Sequence, residues 1–201
     1  MIPIHVMPEM PTQAFLDVLQ QQGFAGEIDT SAAQRAVYAT DNSIYERPPQ
    51  AIVCPKHVAD LQVLTRLLAE ERFRGVVVTA RGGGTGTNGQ SLTEGIVVDV
   101  SRHMNHILSI DVAKRQVRVQ AGVVKDQLNR ALKPHGLFFA PELSTSNRAT
   151  IGGMVNTDAS GQGSCTYGKT RDHVLALKTV LWGGEVLESQ ALSEQTWRED
   201  I

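Results

Sequence analysis

Between Thr79 and Gln90 the chain reads TARGGGTGTNGQ, with five glycines from Gly82 to Gly89. Glycine loses more backbone freedom on folding than any other residue. Such a cluster therefore implies either a close approach to the main chain or conformations closed to other residues. Its flanks narrow the choice. Gly75-Val-Val-Val-Thr-Ala80 and Gly95-Ile-Val-Val-Asp-Val100 are β-branched runs bounded by glycine, a pattern that predicts two buried strands. The glycine stretch is then a connection from strand to strand.

Gly84-Thr-Gly-Thr-Asn-Gly89 fits G-x-G-x-x-G, but the context argues against a dinucleotide fold of the usual kind. There the loop opens a helix and an acidic residue follows about 20 positions on. Here Gln90 to Glu94 is too short for a helix, and Asp99 lies too near. No Gly-Lys-Ser/Thr follows, and the kinase H-R-D and D-F-G signatures are absent. What remains is a loop rich in N–H groups that can converge into a concave anion nest. Hydrogen bonds to a charged acceptor contribute roughly 1.5–3 kcal/mol each, so a few could hold a pyrophosphate without metal or lysine. Arg81 either touches that phosphate or pairs within the protein. A merely tight connection would need only one or two glycines.

The surroundings predict alternating elements. Phe15, Leu16 and Leu19 have helical spacing over 12–22, with Thr12 as N-cap, and a short helix starts after Ser31. Asp41 to Gln50 is a polar loop leading into a strand at Ala51-Ile-Val-Cys54. Val58, Leu61, Leu64 and Leu68 form one face of a helix over 58–72. This first lobe is α/β and ends near Ser101. Ile107–Ile110 and Gln116–Ala121 read as a hairpin around a polar turn. A helix over 124–133 turns Leu128, Ala131 and Leu132 inward and ends at Pro134-His135-Gly136, with His135 capping it. Leu137–Ala140 reads as a strand, and 174–182 with 185–189 as a hairpin about Gly183-Gly184.

A second small-residue segment calls for the same explanation as the first. Thr150-Ile-Gly-Gly-Met-Val-Asn-Thr-Asp-Ala-Ser-Gly161 places Thr150 as N-cap of a short helix. That helix would aim N–H groups outward, with Ile151, Met154 and Val155 anchoring it. Small side chains let a flat ligand lie against the backbone.

Composition closes other doors. The formal net charge is −2, so there is no basic field for nucleic acid. No apolar run approaches the roughly 20 residues of a membrane span, and the proline-rich start lacks a basic secretory n-region. Cys54 and Cys165, far apart, read as buried or idle thiols in a reducing compartment. Two cysteines cannot build a four-thiolate iron–sulfur cluster. His103 and His106 lack a third ligand, so a structural role is expected and no metal site is assigned.

The pair RGGGTGTNGQ and TIGGMVNTDASG, followed by Tyr167-Gly168-Lys-Thr and His173-Val174, resembles the FAD-binding domain of the vanillyl-alcohol oxidase/p-cresol methylhydroxylase (PCMH) superfamily. Within it, the resemblance is nearest to FAD-linked D-2-hydroxyacid dehydrogenases of the glycolate oxidase, D-lactate and D-2-hydroxyglutarate type, and especially to large members that carry an iron–sulfur region. It runs from about Asp41 to Ser189.

The resemblance implies an α+β fold of two lobes, each a small sheet with helices, and FAD between them. A helical lead-in would span 1–47, the first lobe 48–101 with its pyrophosphate loop at 81–89, and the second lobe 102–201. Arg81, Gly82, Gly83, Gly84, Thr85 and Gly86 would cradle the pyrophosphate, with Asn88 and Gly89 shaping the loop's far end. Pro141, Glu142, Ser144, Ile151, Gly152, Gly153, Asn156, Thr157 and Gly161 would line the flavin. Relatives with covalent flavin carry a histidine where this chain has Thr85, so FAD is expected to be non-covalent. Ser144 to Ala149 contains no cysteine for a second link.

The implied reaction is oxidation of a 2-hydroxy acid by hydride transfer to flavin N5. No residue is assigned as base; His173 is a candidate near the flavin motif, whereas Asp158 and Arg148 are expected to be local hydrogen-bond partners. The family's substrate-carrying cap domain has no counterpart here, so cap and electron-transfer domains or subunits are expected as partners, any iron–sulfur cluster among them. The implied location is cytoplasmic, with peripheral membrane contact through the rest of the protein. Two alternatives stay open: a non-catalytic flavin subunit, and an NADPH-dependent enzyme of the UDP-N-acetylenolpyruvylglucosamine reductase type.

Overall fold

The computed structural model describes residues 12–191 and residue 198. Its larger sheet has four strands in the order β1-β2-β4-β3. These are β1 (Glu27–Asp29), β2 (Ala51–Cys54), β3 (Val78–Arg81) and β4 (Ile96–Asp99). β2, β4 and β3 run parallel, and β1 pairs antiparallel on β2. Parallel neighbours need a crossover of about a dozen residues. The glycine stretch supplies the one between β3 and β4, so it must run back along the sheet.

The β-branched runs account for the burial. Every residue of β2 and β4 is buried. On one face Val53, Ile96 and Val98 meet Phe15 and Leu19 of α1 (Thr12–Gln21), Leu64 and Leu68 of α3 (Val58–Leu68), and Phe73. Phe15 and Phe73 cross edge to face at 5.2 Å. On the other face Ile52, Cys54 and Val97 pack under Tyr38, the last residue of α2 (Ala32–Tyr38). Ser31 caps α2, accepting from the Gln34 amide, as its sequence position predicts.

The second part is built on the hairpin of β5 (Ile107–Asp111) and β6 (Gln116–Val119). Ile107, Ile110, Val117 and Val119 pack against Val123, Leu128 and Leu132, the latter two from α4 (Lys125–Leu132). Two short helices follow, α5 (Ile151–Asn156) and α6 (Ser164–Tyr167), then a hairpin of β7 (Lys178–Val180) and β8 (Val186–Glu188). That hairpin returns to the first part. Gly183 N–H donates to Thr65 O (3.3 Å) and Gln62 Nε2 to Gly184 O (2.9 Å) on α3.

Several expectations need correction. Val78–Arg81 is an edge strand, only half buried, and Val77 beside it is 59% exposed. A β-branched run signals strand, but not whether a neighbour covers both faces. The helix expected over 58–72 ends at Leu68, with a separate 3-10 turn at Glu71–Phe73. β1 was not foreseen; its three residues carry no run to read. Leu137–Ala140 forms no strand. The Asn129 side chain stands in for one, accepting from Phe139 N–H (2.7 Å) and donating to Phe139 O (3.4 Å). The left-handed residue that closes the turn after α4 is Gly136. Cys54 is buried, as one expectation had it, but Cys165 is exposed. Thr12 already lies inside α1, so that helix's cap falls outside the described residues, as does the polar stretch at 192–197.

Candidate functional site

The loop leaves β3 at its carboxyl end and runs at once into the second small-residue segment. A Cβ on Gly82 would stand 3.2 Å from Thr150 Cβ and closer to its hydroxyl. One on Gly83 would stand 2.9 Å from the Arg148 carbonyl carbon and closer still to its oxygen. The two glycine segments, about 65 residues apart in the chain, are therefore in direct contact.

The loop is held open from one side. Gly84, at φ +60°, arches over the Arg81 guanidinium. Arg81 Nη2 donates to Thr40 O (2.8 Å), Nη1 to Tyr38 O (3.3 Å), and the group lies 5.1 Å from the Tyr38 ring centre. Of the two roles open to Arg81, the geometry favours pairing within the protein. Asn42 N–H donates to Gly84 O (3.1 Å), and Gly89, at φ +71°, packs on Tyr45. Asn88 is exposed, and its amide donates to Gln90 Oε1 (3.1 Å). The Gln90 amide group crosses beneath Gly86. The N–H groups of Gly83, Gly84, Thr85, Gly86 and Thr87 find no acceptor among the described residues. A row of unpartnered amides, half-buried from Gly83 to Gly86, fits an anionic ligand with several acceptor oxygens, such as a diphosphate.

Below the loop, at the carboxyl ends of β2 and β4, sits a polar cluster that the sequence did not mark. The Tyr38 hydroxyl donates to Asp99 Oδ2, while Asp99 Oδ1 accepts from the Ser101 amide and hydroxyl. Burial first, then that hydrogen bond, pushes the Tyr38 phenol well above its ordinary value. Burial likewise pushes the Cys54 thiol up to about 12, with the Asp99 charge adding to it. Asp41 accepts from Ser43 N–H (2.8 Å) and Ser91 Oγ (2.9 Å). Burial raises its pKa, but the Ser43 and Ser91 hydrogen bonds and the Arg81 charge outweigh it and hold it below its ordinary value.

The second segment differs from the sequence expectation in one respect. Thr150 does cap α5, accepting from Gly153 N–H (3.4 Å). Yet Ile151 N–H donates to Val123 O and Gly152 N–H to Ala121 O, both at 2.8 Å. The first amides of α5 are thus taken by the protein and do not point out to a ligand. Gly152 is small because Ala121 packs against it, its Cβ 2.7 Å from where a Gly152 Cβ would lie. Ile151 packs on the α4 cluster, and Met154 is buried. Pro141 is buried, whereas Glu142 and Ser144 are exposed. The Glu142 main chain lies against Gly161, which joins 141–144 to 156–161 as one wall. On that wall Asn156 is exposed, and Thr157 Oγ1 donates back to Gly153 O (3.0 Å).

The titratable side chains nearby have structural partners. His173 Nε2 meets Tyr167 O (2.7 Å), and its ring lies edge-on to Phe139. His103 bonds Glu27 Oε1 (2.8 Å), and His106 Nδ1 bonds Gln120 Oε1 (2.9 Å). No group of three or more potential metal ligands occurs among the described residues. Asp158 pairs with Arg171 (3.0 Å), as a local partner should. The Arg148 side chain does not: it is exposed and has no hydrogen bond or ion pair among the described residues.

Comparison with known proteins gives the same outline. The family described as FAD binding domain matches residues 49–190. D-2-hydroxyglutarate dehydrogenase of Pseudomonas putida is 65% identical over 94% of this chain, and the Escherichia coli protein of that name 60% over 89%. The match covers only 19% and 18% of those two proteins, so the chain spans about a fifth of their length. Glycolate oxidase subunit GlcD of Bacillus subtilis is 34% identical over 90% of the chain and 38% of its own length. Among solved structures, alkyldihydroxyacetonephosphate synthase superposes with a TM-score of 0.78 at 21% identity, over 98% of this chain and 42% of its own. For 6-hydroxy-D-nicotine oxidase from Arthrobacter nicotinovorans the TM-score is 0.72 at 23% identity, over 84% of this chain and 36% of its own. At that identity the two structures speak for the α+β fold alone.

Proposed function

Because the chain belongs to the FAD binding domain family, we propose that it is the flavin-holding part of a larger dehydrogenase that oxidises a D-2-hydroxy acid, with D-2-hydroxyglutarate as first candidate. One observation carries the reading: the amides of Gly83 to Thr87 are unpartnered, in a loop whose Gly82 and Gly83 press on Arg148–Thr150. The relatives named D-2-hydroxyglutarate dehydrogenase, 60–65% identical here, support the substrate class. The lobes at 48–101 and 102–201 belong to the same proposal, with FAD between them.

Bound FAD would supply a two-electron acceptor for the hydride on the substrate's α-carbon. The chain's own residues bind and orient. Gly83 to Thr87 present N–H groups to the diphosphate. Gly82 and Gly89 shape the two ends of that row. Pro141, Glu142, Ser144, Asn156, Thr157 and Gly161 form the wall on the ring side; Ile151 packs its helix on α4, Gly152 seats it on Ala121, and Gly153 meets the Thr150 cap. Thr85 lacks the imidazole nitrogen that a histidine would bring to a covalent flavin bond at this position, so FAD is held non-covalently. No residue of this chain is assigned as the base for the substrate's hydroxyl proton, and electrons leave through another domain or subunit. No helix among the described residues is long and apolar enough to cross a membrane. A cytoplasmic place, with membrane contact left to the rest of the protein, belongs to the same proposal.

The test is anaerobic flavin bleaching of the full-length parent by a panel of D-2-hydroxy acids. Bleaching by D-2-hydroxyglutarate and not by its L-enantiomer is expected. Bleaching by NADPH alone, or a parent that holds no flavin, would overturn the proposal.

A further inference from the structure

The loop's conformation is set largely by a piece of chain that no motif marks. The strap from Tyr38 to Arg47 closes on itself through Arg47 N–H to Ala39 O (2.8 Å) and a bridge between Thr40 and Glu46. Three ties join it to the loop. The Arg81 fork reaches the carbonyls of Tyr38 and Thr40, and Tyr38 is itself fixed by Asp99. Asn42 N–H holds the Gly84 carbonyl. Asp41 holds Ser91, beyond the loop's far end. Each tie engages a carbonyl or side chain, and none engages an amide of Gly83 to Thr87.

A glycine loop left free would have to be ordered by its ligand, at the cost of affinity. We propose that the strap, through Arg81, Asp41 and Ser91, positions the Gly83–Thr87 amides for a diphosphate before the ligand arrives. This rests on the functional reading above. Arg81 is then a positioning residue that acts by its two-pronged geometry on main-chain carbonyls. An ammonium of equal charge cannot reproduce the fork.

Arg81→Lys and Ser91→Ala, made in the full-length parent, separate positioning from charge and from general damage. Each protein is titrated with FAD, ADP and riboflavin. Both variants are expected to lose about tenfold or more in affinity for FAD and ADP, with riboflavin affinity unchanged. Arg81→Lys at wild-type affinity would mean that charge suffices and would overturn the positioning role. So would an equal loss for riboflavin, which marks a general structural defect. Wild-type protein that binds FAD beside two variants that match it would overturn this role alone. Wild-type protein that takes up neither FAD nor ADP would overturn the functional reading, and the strap's role with it.

Discussion

Gly83→Ala tests the contact between the two segments directly. The new methyl carbon would sit 2.9 Å from the Arg148 carbonyl carbon and nearer to its oxygen. Favourable carbon–carbon separations begin at about 3.5 Å, so one side must retreat by more than half an ångström. Arg148 cannot swing away, because the obstacle is main chain. Its turn is fastened by Arg148 N–H and Ala149 N–H, both donating to Thr145 O at 2.9 and 2.8 Å. Ala149 O accepts from Lys125 N–H at 3.0 Å, and Ala149 is buried. Overpacking of this kind costs roughly 1–3 kcal/mol, and the rigid partner puts Gly83→Ala near the top of that range. For a chain of this size, about 3 kcal/mol lowers Tm by roughly 6–12 °C. Gly136→Ala is the control. Gly136 has φ +68° but no atom within 4 Å of an added Cβ, so it suffers left-handed strain alone, about 1 kcal/mol. Calorimetry on both variants decides the matter. Gly83→Ala melting at or above Gly136→Ala would refute the claim that the loop is seated on the Arg148 turn.

Other outcomes follow from groups already described. Asp60 is buried and accepts from the amides of Ala25 (2.8 Å), Lys56 (2.7 Å) and His57 (3.0 Å). Asp60→Ala strands three donors and should cost about 2–4 kcal/mol, read as a lower urea midpoint. Asp41 has a depressed folded pKa. Its contribution is therefore complete above the ordinary carboxylate range and lost as pH falls through the lowered value. The stability gap between wild type and Asp41→Asn should be flat near neutrality and close in acid; a gap that widens in acid would contradict this. Cys165 is exposed, while Cys54 is buried with its thiol raised to about 12. A thiol reagent at pH 8 should modify Cys165 quickly and Cys54 only on unfolding, as counted by mass. Acid precipitation of the full-length holoprotein should leave the yellow colour in the supernatant.

Much of this fold was legible because its signals are local. Val97 and Val98 announce a strand, and Ser31 announces a helix start. The two hairpins follow from alternation and from Gly183-Gly184. The failures share one cause: they depend on what lies across space. Val77 reads as part of a buried strand, yet it stands exposed just ahead of an edge strand. Phe139 reads as part of a strand, yet a single Asn129 side chain satisfies it. The site was half visible in the same sense. Five glycines in one loop point to a ligand, but Gly82, Gly83, Gly152 and Gly161 are also small because protein packs against them. Asp41, Ser91 and Tyr45 carried no signal, since an Asp-x-Ser in a polar loop looks like any turn. Only their contacts with the glycine loop give them a role.

The early amides of α5 are closed off by Val123, Ala121 and Thr150, so on the proposed reading anion capture falls to a single connector between two strands. Grip and tuning then reside in different stretches of polypeptide. On the proposed reading, substitutions along 156–161, clear of the Arg148–Thr150 turn on which Gly82 and Gly83 are seated, reshape what surrounds an isoalloxazine while the phosphate anchor keeps its support, so a lineage can change substrate or potential without first losing its cofactor.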